Sequence, residues 1–327
     1  MTDINLTLRD IYSARARIAP LARKTPLVSS PELSELTGSE VTLKLECLQE
    51  TGSFKPRGAA NKILSLKPEA LKRGVITVSS GNHGRALAYV AHRLGLRAVV
   101  CLPETVPANK RDAIQKLGAE VVVPGRTYEE AVEEASRLGE IEGLEMIHPY
   151  DDPVVIAGQG TIGLELLEEF PDLDTVVVPL SGGGLLGGIA FALKSADPKI
   201  HVVGVMMERG PAMVESLRAG RLVEIVEEPT LADALAGGII PNKYTFELIQ
   251  KTVDETVLVS EQEIAAAMAF ALERHHLVVE GGGAVGIAAL RAGKLQRLGK
   301  RVAVVISGAN VDMSLLLQVV QDHLDGC

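Results

Sequence analysis

Lys55 is the residue around which this sequence is read, although on its own it is most simply a solvated lysine at a helix start. It stands between Phe54 and Pro56 in Thr51-Gly52-Ser53-Phe54-Lys55-Pro56-Arg57-Gly58, behind a Gly-Ser turn and at a helix start. A lysine amine attacks only when deprotonated, which burial favours; left in water it is one more surface charge. Ser181-Gly182-Gly183-Gly184-Leu185 joins two apolar runs. Its successive N–H groups at a strand-to-helix turn form a nest for a phosphate, an approach that side chains would block. A tight turn packed on a sheet would use the same glycines. Ser79-Ser80-Gly81-Asn82-His83-Gly84 brings two hydroxyls, an amide and several N–H groups to another helix start. That set suits a carboxylate, whereas capping needs just one of these residues. Ser307-Gly308-Ala309-Asn310 ends the last apolar run, where local satisfaction of the serine is the plain account. Val279-Glu280-Gly281-Gly282-Gly283-Ala284 sets a carboxylate at a helix start, where the helix dipole alone would favour it.

A second chemistry competes for the glycine loop. Gly182, Gly184 and Gly187 fit the G-x-G-x-x-G dinucleotide fingerprint, with Glu208 about twenty residues on. A nicotinamide or flavin oxidoreductase would use them so, but that reading leaves the other loops unexplained.

The elements around these loops predict an α/β fold. Short apolar strands at 75–78, 98–102 and 120–123 alternate with helices at 85–94, 110–117 and 128–139. After Pro149-Tyr150-Asp151-Asp152-Pro153 the rhythm restarts, with helices at 160–169, 185–193, 211–218, 261–274 and 284–290 and strands at 175–178, 201–205 and 302–307. Before it come a helix at 8–19, an alternating strand at 41–46 and a helix at 56–66. Such alternation indicates parallel sheets covered on both faces, in two lobes: residues 1–70 with 148–327, and 71–147. Ligands then bind outside the carboxyl ends of strands, where the loops after Val78, Val178 and Ser307 lie.

Composition narrows the class further. A net charge of −9 argues against a nucleic-acid surface and adds no attraction to anionic membranes. Cys47, Cys101 and Cys327 lack metal-ligand spacing and make no disulfide framework, which fits a reducing cytoplasm. The first nine residues lack the apolar segment of a signal peptide. The uncharged run at 175–193 holds five glycines and a proline, and reads as strand, loop and helix rather than a membrane span.

Taken together, Lys44-Leu45-Glu46, the Lys55 stretch, Ser79 to His83, Ala157-Gly158-Gln159-Gly160-Thr161, Ser181 to Leu185 and Ser307 to Asn310 resemble the fold-type II pyridoxal-phosphate enzymes, in the threonine/serine dehydratase and serine racemase branch. The resemblance runs nearly the whole chain. It implies the tryptophan synthase β-like fold, with the cofactor between the lobes, and a homodimer acting on a small amino acid. Lys55 would carry the cofactor as a Schiff base and act as base at the α-carbon. Phe54 would lie against the pyridine ring, and Ser181, Gly182, Gly183, Gly184 and Leu185 would hold the phosphate. Asn82 would bond the ring's phenolic oxygen, and Ser307 would face the ring nitrogen. Ser79, Ser80, Asn82 and His83 would grip the substrate carboxylate, with Ser80 where racemases carry a second acid/base. A serine at the ring nitrogen leaves that nitrogen neutral, which suits prompt loss of a β-hydroxyl.

Departures from the pattern bear on substrate. Arg85 stands where dehydratases more commonly have glutamine, and Gly238 where serine racemase has a substrate-contacting serine. Ser181 replaces the first glycine of the usual four-glycine loop. Met206, Gly210 and Ala212 fall at the acidic positions of a divalent-metal site in related enzymes, so no metal is expected. The combination of Arg85 with the two glycine loops looks most like the dehydratases of hydroxyectoine breakdown, which implies 3-hydroxyaspartate as substrate over threonine or serine. An arginine is what a second carboxylate needs; the alternative is that Arg85 only faces solvent. An isoleucine-inhibited biosynthetic threonine deaminase carries a regulatory extension, none follows residue 327, and that role is not expected. A non-catalytic amino-acid sensor is the remaining alternative, against which the intact Lys55 argues.

Overall fold

In the computed structural model, residues 5–226, 228–237, 239 and 244–325 are described; Gly238 and Cys327 lie outside them. Ten strands form two sheets. In chain order they are β1 (Leu27–Ser29), β2 (Glu40–Lys44), β3 (Val75–Val78), β4 (Ala98–Cys101), β5 (Glu120–Val122), β6 (Glu145–Met146), β7 (Thr175–Pro179), β8 (His201–Met207), β9 (Glu255–Val259) and β10 (Arg301–Val305). The larger sheet runs β1-β2-β10-β7-β8-β9 and the smaller β5-β4-β3-β6. Every pairing is parallel except β1 with β2. The register sets Val302 of β10 opposite Thr175 of β7, so the loops carrying Ser307 and Ser181 leave from adjacent strand ends. β3 delivers the loop at 79–81 from the smaller sheet.

The two central strands are apolar over almost their whole length and buried on both faces, as parallel strands under helices must be. The uncharged run at 175–193 is β7, a loop and the Gly184–Ala196 helix. Among the described residues no helix is long and apolar enough to cross a membrane.

Three expectations need correction. The helix drawn from residue 160 starts at Pro153, capped by Asp152, whose Oδ1 accepts from the N–H groups of Val154 (2.7 Å) and Val155 (3.1 Å). Gly158, outside the expected helix, and Gly160, at its expected start, both sit well inside the observed one, at positions where neighbouring chain passes too close for a side chain. A Cβ on Gly158 would stand 2.5 Å from the Arg57 carbonyl oxygen, and one on Gly160 2.9 Å from that of Gly188. Second, the alternation at 41–46 is not half-exposed. Lys44 and Glu46 are fully buried, Lys44 Nζ lying 2.7 Å from Glu165 and 3.2 Å from Glu169. Third, the helices Pro31–Thr37, Tyr244–Thr252 and Met313–Asp325 and the strands β1, β6 and β9 were not anticipated.

Candidate active site

The chain reaches Lys55 along a strapped path. After β2, the Cys47 N–H donates to the Ile306 carbonyl (2.8 Å), Phe54 N–H to Ser307 (3.1 Å) and Ala309 N–H to Gly52 (2.8 Å). Gly52 has φ +72°, and a Cβ there would stand 2.9 Å from Asn310 Oδ1, so this turn requires glycine. Two residues beyond Lys55, Arg57 forks twice: Nε and Nη2 donate to Glu46 (2.8 Å each), Nη1 and Nη2 to Glu165 (2.6 and 2.9 Å). The helix Pro56–Leu64 is thereby fixed at its first turn. Lys55 Nζ donates to the Pro149 carbonyl at 2.9 Å and lies 5.1 Å from the Phe54 ring centroid. Burial pushes its pKa down to about 8, against the pull of Glu280, so a useful fraction of the amine is neutral near pH 7.

The glycine loop meets Lys55 across one cavity of about 900 Å³, lined by both sheets' loops. Gly183 has φ +92° and opens the Gly184–Ala196 helix, whose first-turn N–H groups have no intrahelical acceptors. The glycines answer to packing as well as to a ligand. A Cβ on Gly182 would stand 2.6 Å from the Tyr150 ring, one on Gly184 2.9 Å from Tyr150 Cα, and one on Gly183 3.2 Å from Thr245 Cβ. Tyr150 thus backs the nest, a part the sequence reading left out.

The expected loop at 79–84 is shorter than drawn, because the helix begins at Asn82 rather than Arg85. Asn82 and His83 therefore bring first-turn N–H groups to the cavity. The His83 ring is spoken for: it is buried, and Nε2 lies 2.9 Å from the Ile147 carbonyl. Burial, with Lys55 nearby, pushes its pKa down to about 3, so it stays neutral and donates. Ser79 Oγ accepts weakly from the Gly81 N–H (3.4 Å), while Ser80 makes no hydrogen bond among the described residues. Both line the cavity.

On the remaining wall Asn82 Nδ2 donates to Glu280 Oε1 (2.7 Å), and Asn310 Nδ2 to Asn82 Oδ1 (2.6 Å). Arg85 Nη1 donates to Asn310 Oδ1 (3.0 Å); among the described residues Arg85 has no ion-pair partner. Ser307 Oγ has one long contact, 3.5 Å to the Gly282 carbonyl. At the rim, Lys110 pairs with Asp233 at 2.9 Å, and Tyr128 and Glu129 add a ring and a carboxylate. The structure thus brings every expected site residue to one cavity. It adds Glu280, Asn310, Tyr150 and Lys110. Of these, Glu280 and Asn310 stood in motifs already singled out, while Tyr150 was read only as a boundary.

A family model described as pyridoxal-phosphate dependent enzyme matches residues 18–308. The chain belongs to that family. L-threonine ammonia-lyase of Thermotoga maritima is 46% identical over 319 residues, which cover 98% of this chain and 79% of that one. Maize serine racemase superposes with a TM-score of 0.91 at 33% identity, over 98% of both chains. A pyridoxal 5'-phosphate-dependent aspartate racemase does so with a TM-score of 0.89 at 35% identity, over 97% of this chain and 99% of that one. The α/β, fold-type II expectation holds, and the protein is a pyridoxal-phosphate enzyme of dehydratase, or ammonia-lyase, type. The nicotinamide alternative falls: Glu208 lies outside the cavity lining and pairs with Lys294 at 3.3 Å. A sensor without catalysis falls with it.

The cavity fits the cofactor. It offers an amine with a lowered pKa, a helix N-terminus with a glycine nest and no carboxylate among residues 181–185, and a hydroxyl nearly without partner at Ser307.

Proposed function

We propose that this enzyme eliminates water from 3-hydroxyaspartate in preference to threonine or serine, giving a 2-oxo acid and ammonia. One observation carries the preference: an arginine without an ion-pair partner, Arg85, shares the cavity with Lys55 and the carboxylate-binding helix start. Its single bond, to the neutral Asn310 amide, is one that a second substrate carboxylate can outcompete with a charge-assisted fork. The aspartate racemase of similar fold acts on an amino acid with such a carboxylate, which supports the reading.

In this reading pyridoxal phosphate, when bound, supplies the electron sink that makes the substrate α-proton acidic. Residues 181–185 would hold the phosphate by backbone N–H groups, Phe54 would lie against the ring, Asn82 would serve the ring oxygen and Ser307 would face the ring nitrogen. Lys55 would anchor the cofactor and, as a neutral amine, would take the α-proton at Nζ. N–H groups and hydroxyls of residues 79–83 fix the α-carboxylate, and Arg85 the β-carboxylate. Loss of water leaves an enamine, which becomes an imine and takes up water to release the 2-oxo acid and ammonia.

Steady-state ammonia release from 3-hydroxyaspartate, threonine and serine tests this with wild type and Arg85→Ala. Loss of a charge-assisted bond should lower kcat/KM for 3-hydroxyaspartate about 10- to 100-fold and change threonine far less. If hydroxyaspartate turnover is unchanged in Arg85→Ala, the β-carboxylate reading is wrong. A threonine/serine ammonia-lyase is the second reading, favoured by the 46% identity to the Thermotoga enzyme. Ser80, with no hydrogen bond among the described residues, supports some racemase activity in either case.

A further inference from the structure

Glu280 has no task in the chemistry above, yet it is 3% exposed and borders the cavity. Its two oxygens accept separate donors, Oε1 from Asn82 Nδ2–H (2.7 Å) and Oε2 from Asn310 N–H (3.0 Å). The Asn310 amide is fully used: Nδ2 donates to the Thr51 carbonyl (2.8 Å) and to Asn82 Oδ1 (2.6 Å), and Oδ1 accepts from Arg85. Gly308 leaves room for the carboxylate, since a Cβ there would collide with Glu280 Oε1. Turning the Asn82 amide over would set its oxygen against the carboxylate and its NH₂ against that of Asn310. The Thr51 carbonyl, which can only accept, and Arg85, which can only donate, set the Asn310 amide; an ionised Glu280, with no proton to donate, sets the Asn82 amide from the other side and holds the Asn310 backbone N–H.

We propose that Glu280 is a positioning residue of the reaction: as a carboxylate it fixes which way the Asn82 amide faces and, through Asn310, holds Arg85. This stands whichever hydroxy-amino acid is the substrate. Protonation weakens the chain, because the added hydrogen, on whichever oxygen it sits, faces a group that is itself a donor.

That event falls in the working pH range. Burial pushes Glu280 up to about 7; the Asn82 bond opposes this, Asp233 reinforces it, and the Asn310 N–H and Arg85 oppose it again. The charged and titratable groups facing it are Lys55 ahead of the Pro56–Leu64 helix, Arg85 on the Asn82–Leu94 helix, Asp233 on the Asp233–Leu235 turn and Cys47 on the Glu46–Leu48 turn. Burial pushes the Cys47 thiol up to about 12, and Asp233 is more than half exposed and paired with Lys110. With the Lys55 amine free, it and Glu280 titrate near neutrality as a coupled unit; with that amine committed to the cofactor, Glu280 is the group left to do so.

The test uses holoenzyme of wild type, Glu280→Gln, Glu280→Asp, Asn82→Ala and the Asn82→Ala/Glu280→Gln double variant. Two readouts are taken: kcat and KM for ammonia release against pH, and the pH dependence of the bound cofactor's visible absorption without substrate. Glutamine offers one acceptor and one donor where two acceptors are needed. Glu280→Gln should keep the cofactor, lose the spectral change near pH 7 and lower kcat about 10- to 100-fold with a smaller change in KM. Glu280→Asp should restore the spectral change, and the double variant should be no slower than Asn82→Ala within about twofold. Additive losses in that cycle, or an unaltered spectral change in Glu280→Gln, overturn the proposal. Should Glu280→Gln yield no folded protein, Asn82→Ala carries the spectral test: with one donor to Glu280 removed, the midpoint of the spectral change should move up, and an unmoved midpoint overturns the proposal equally.

Discussion

Two buried glutamates flank Lys55, and they behave oppositely. Glu46 lies behind the lysine, fully buried. Burial alone would raise its pKa, but the Arg57 charge and fork, the Thr25 hydroxyl and Lys44 together hold it below the ordinary carboxylate range. Glu280 lies in front, as deeply buried, and has just an amide and a backbone N–H as direct partners. Its pKa goes up to about 7. The same side chain is a permanent charge in one place and a titrating group in the other. Full cations at hydrogen-bond distance make the difference. The rear cluster pairs Lys44 and Arg57 with Glu46 and Glu165, and so holds Lys55 from behind through buried ion pairs. The front chain of Glu280, Asn82, Asn310 and Arg85 holds one cation and one anion that never touch, which leaves both able to respond to a ligand.

The sharpest way to separate these regions is to remove the residue between them. Lys55→Ala should abolish ammonia release by at least about 10³-fold and erase the bound cofactor's visible band while leaving the unfolding transition in place. A variant that kept more than a few per cent of wild-type kcat would deny Lys55 the covalent role. Next comes the rear cluster. Arg57→Ala leaves Glu46 fully buried without a paired cation and Glu165 with Lys44 alone, and should destabilise the chain by about 3–5 kcal/mol, measured by denaturant unfolding. If Arg57→Ala unfolds at the wild-type midpoint and instead alters the cofactor spectrum alone, the rear cluster belongs to the site and the comparison fails.

The same division separates what the sequence made legible from what it hid. Lys55, the glycine loop and the helix start at residue 79 announce themselves locally, through a proline, a run of glycines or a cluster of small polar residues beside an apolar segment. Glu280 stood in view as a carboxylate at a helix start, but its partner Asn82 lies 198 residues away, and nothing local says which amide it meets. Likewise Lys44 and Glu46 alternate with apolar residues as a half-exposed strand would; burial of both follows from Arg57 and Glu165, which come from other elements. The helix Pro153–Glu169 was cut short because its glycines lower helix propensity, whereas contact with the Arg57 and Gly188 backbone decides their use. β9 escaped notice because it alternates buried and half-buried residues behind a charged first residue, as an edge strand does.

The smallest expected effect tests the comparison most directly, through the sign of a slope. Glu46, lowered in the folded state, contributes stability above its unfolded pKa, and that contribution is lost as pH falls through the lower folded value. Glu280, raised to about 7, contributes fully below its unfolded pKa near 4.5 and loses that contribution as pH rises through 7. Denaturant unfolding of wild type, Glu46→Gln and Glu280→Gln across pH 4 to 8, each variant taken as a difference from wild type, isolates the two groups. Glu280→Gln should gain on wild type between pH about 4.5 and 7, by on the order of 2–3 kcal/mol, then run parallel to it. Glu46→Gln should lose ground over its range, being worst above pH 5 and recovering towards acid. Slopes of one sign would mean that the front carboxylate is already paired like the rear one, and that no group beside Lys55 but the lysine itself titrates near neutrality.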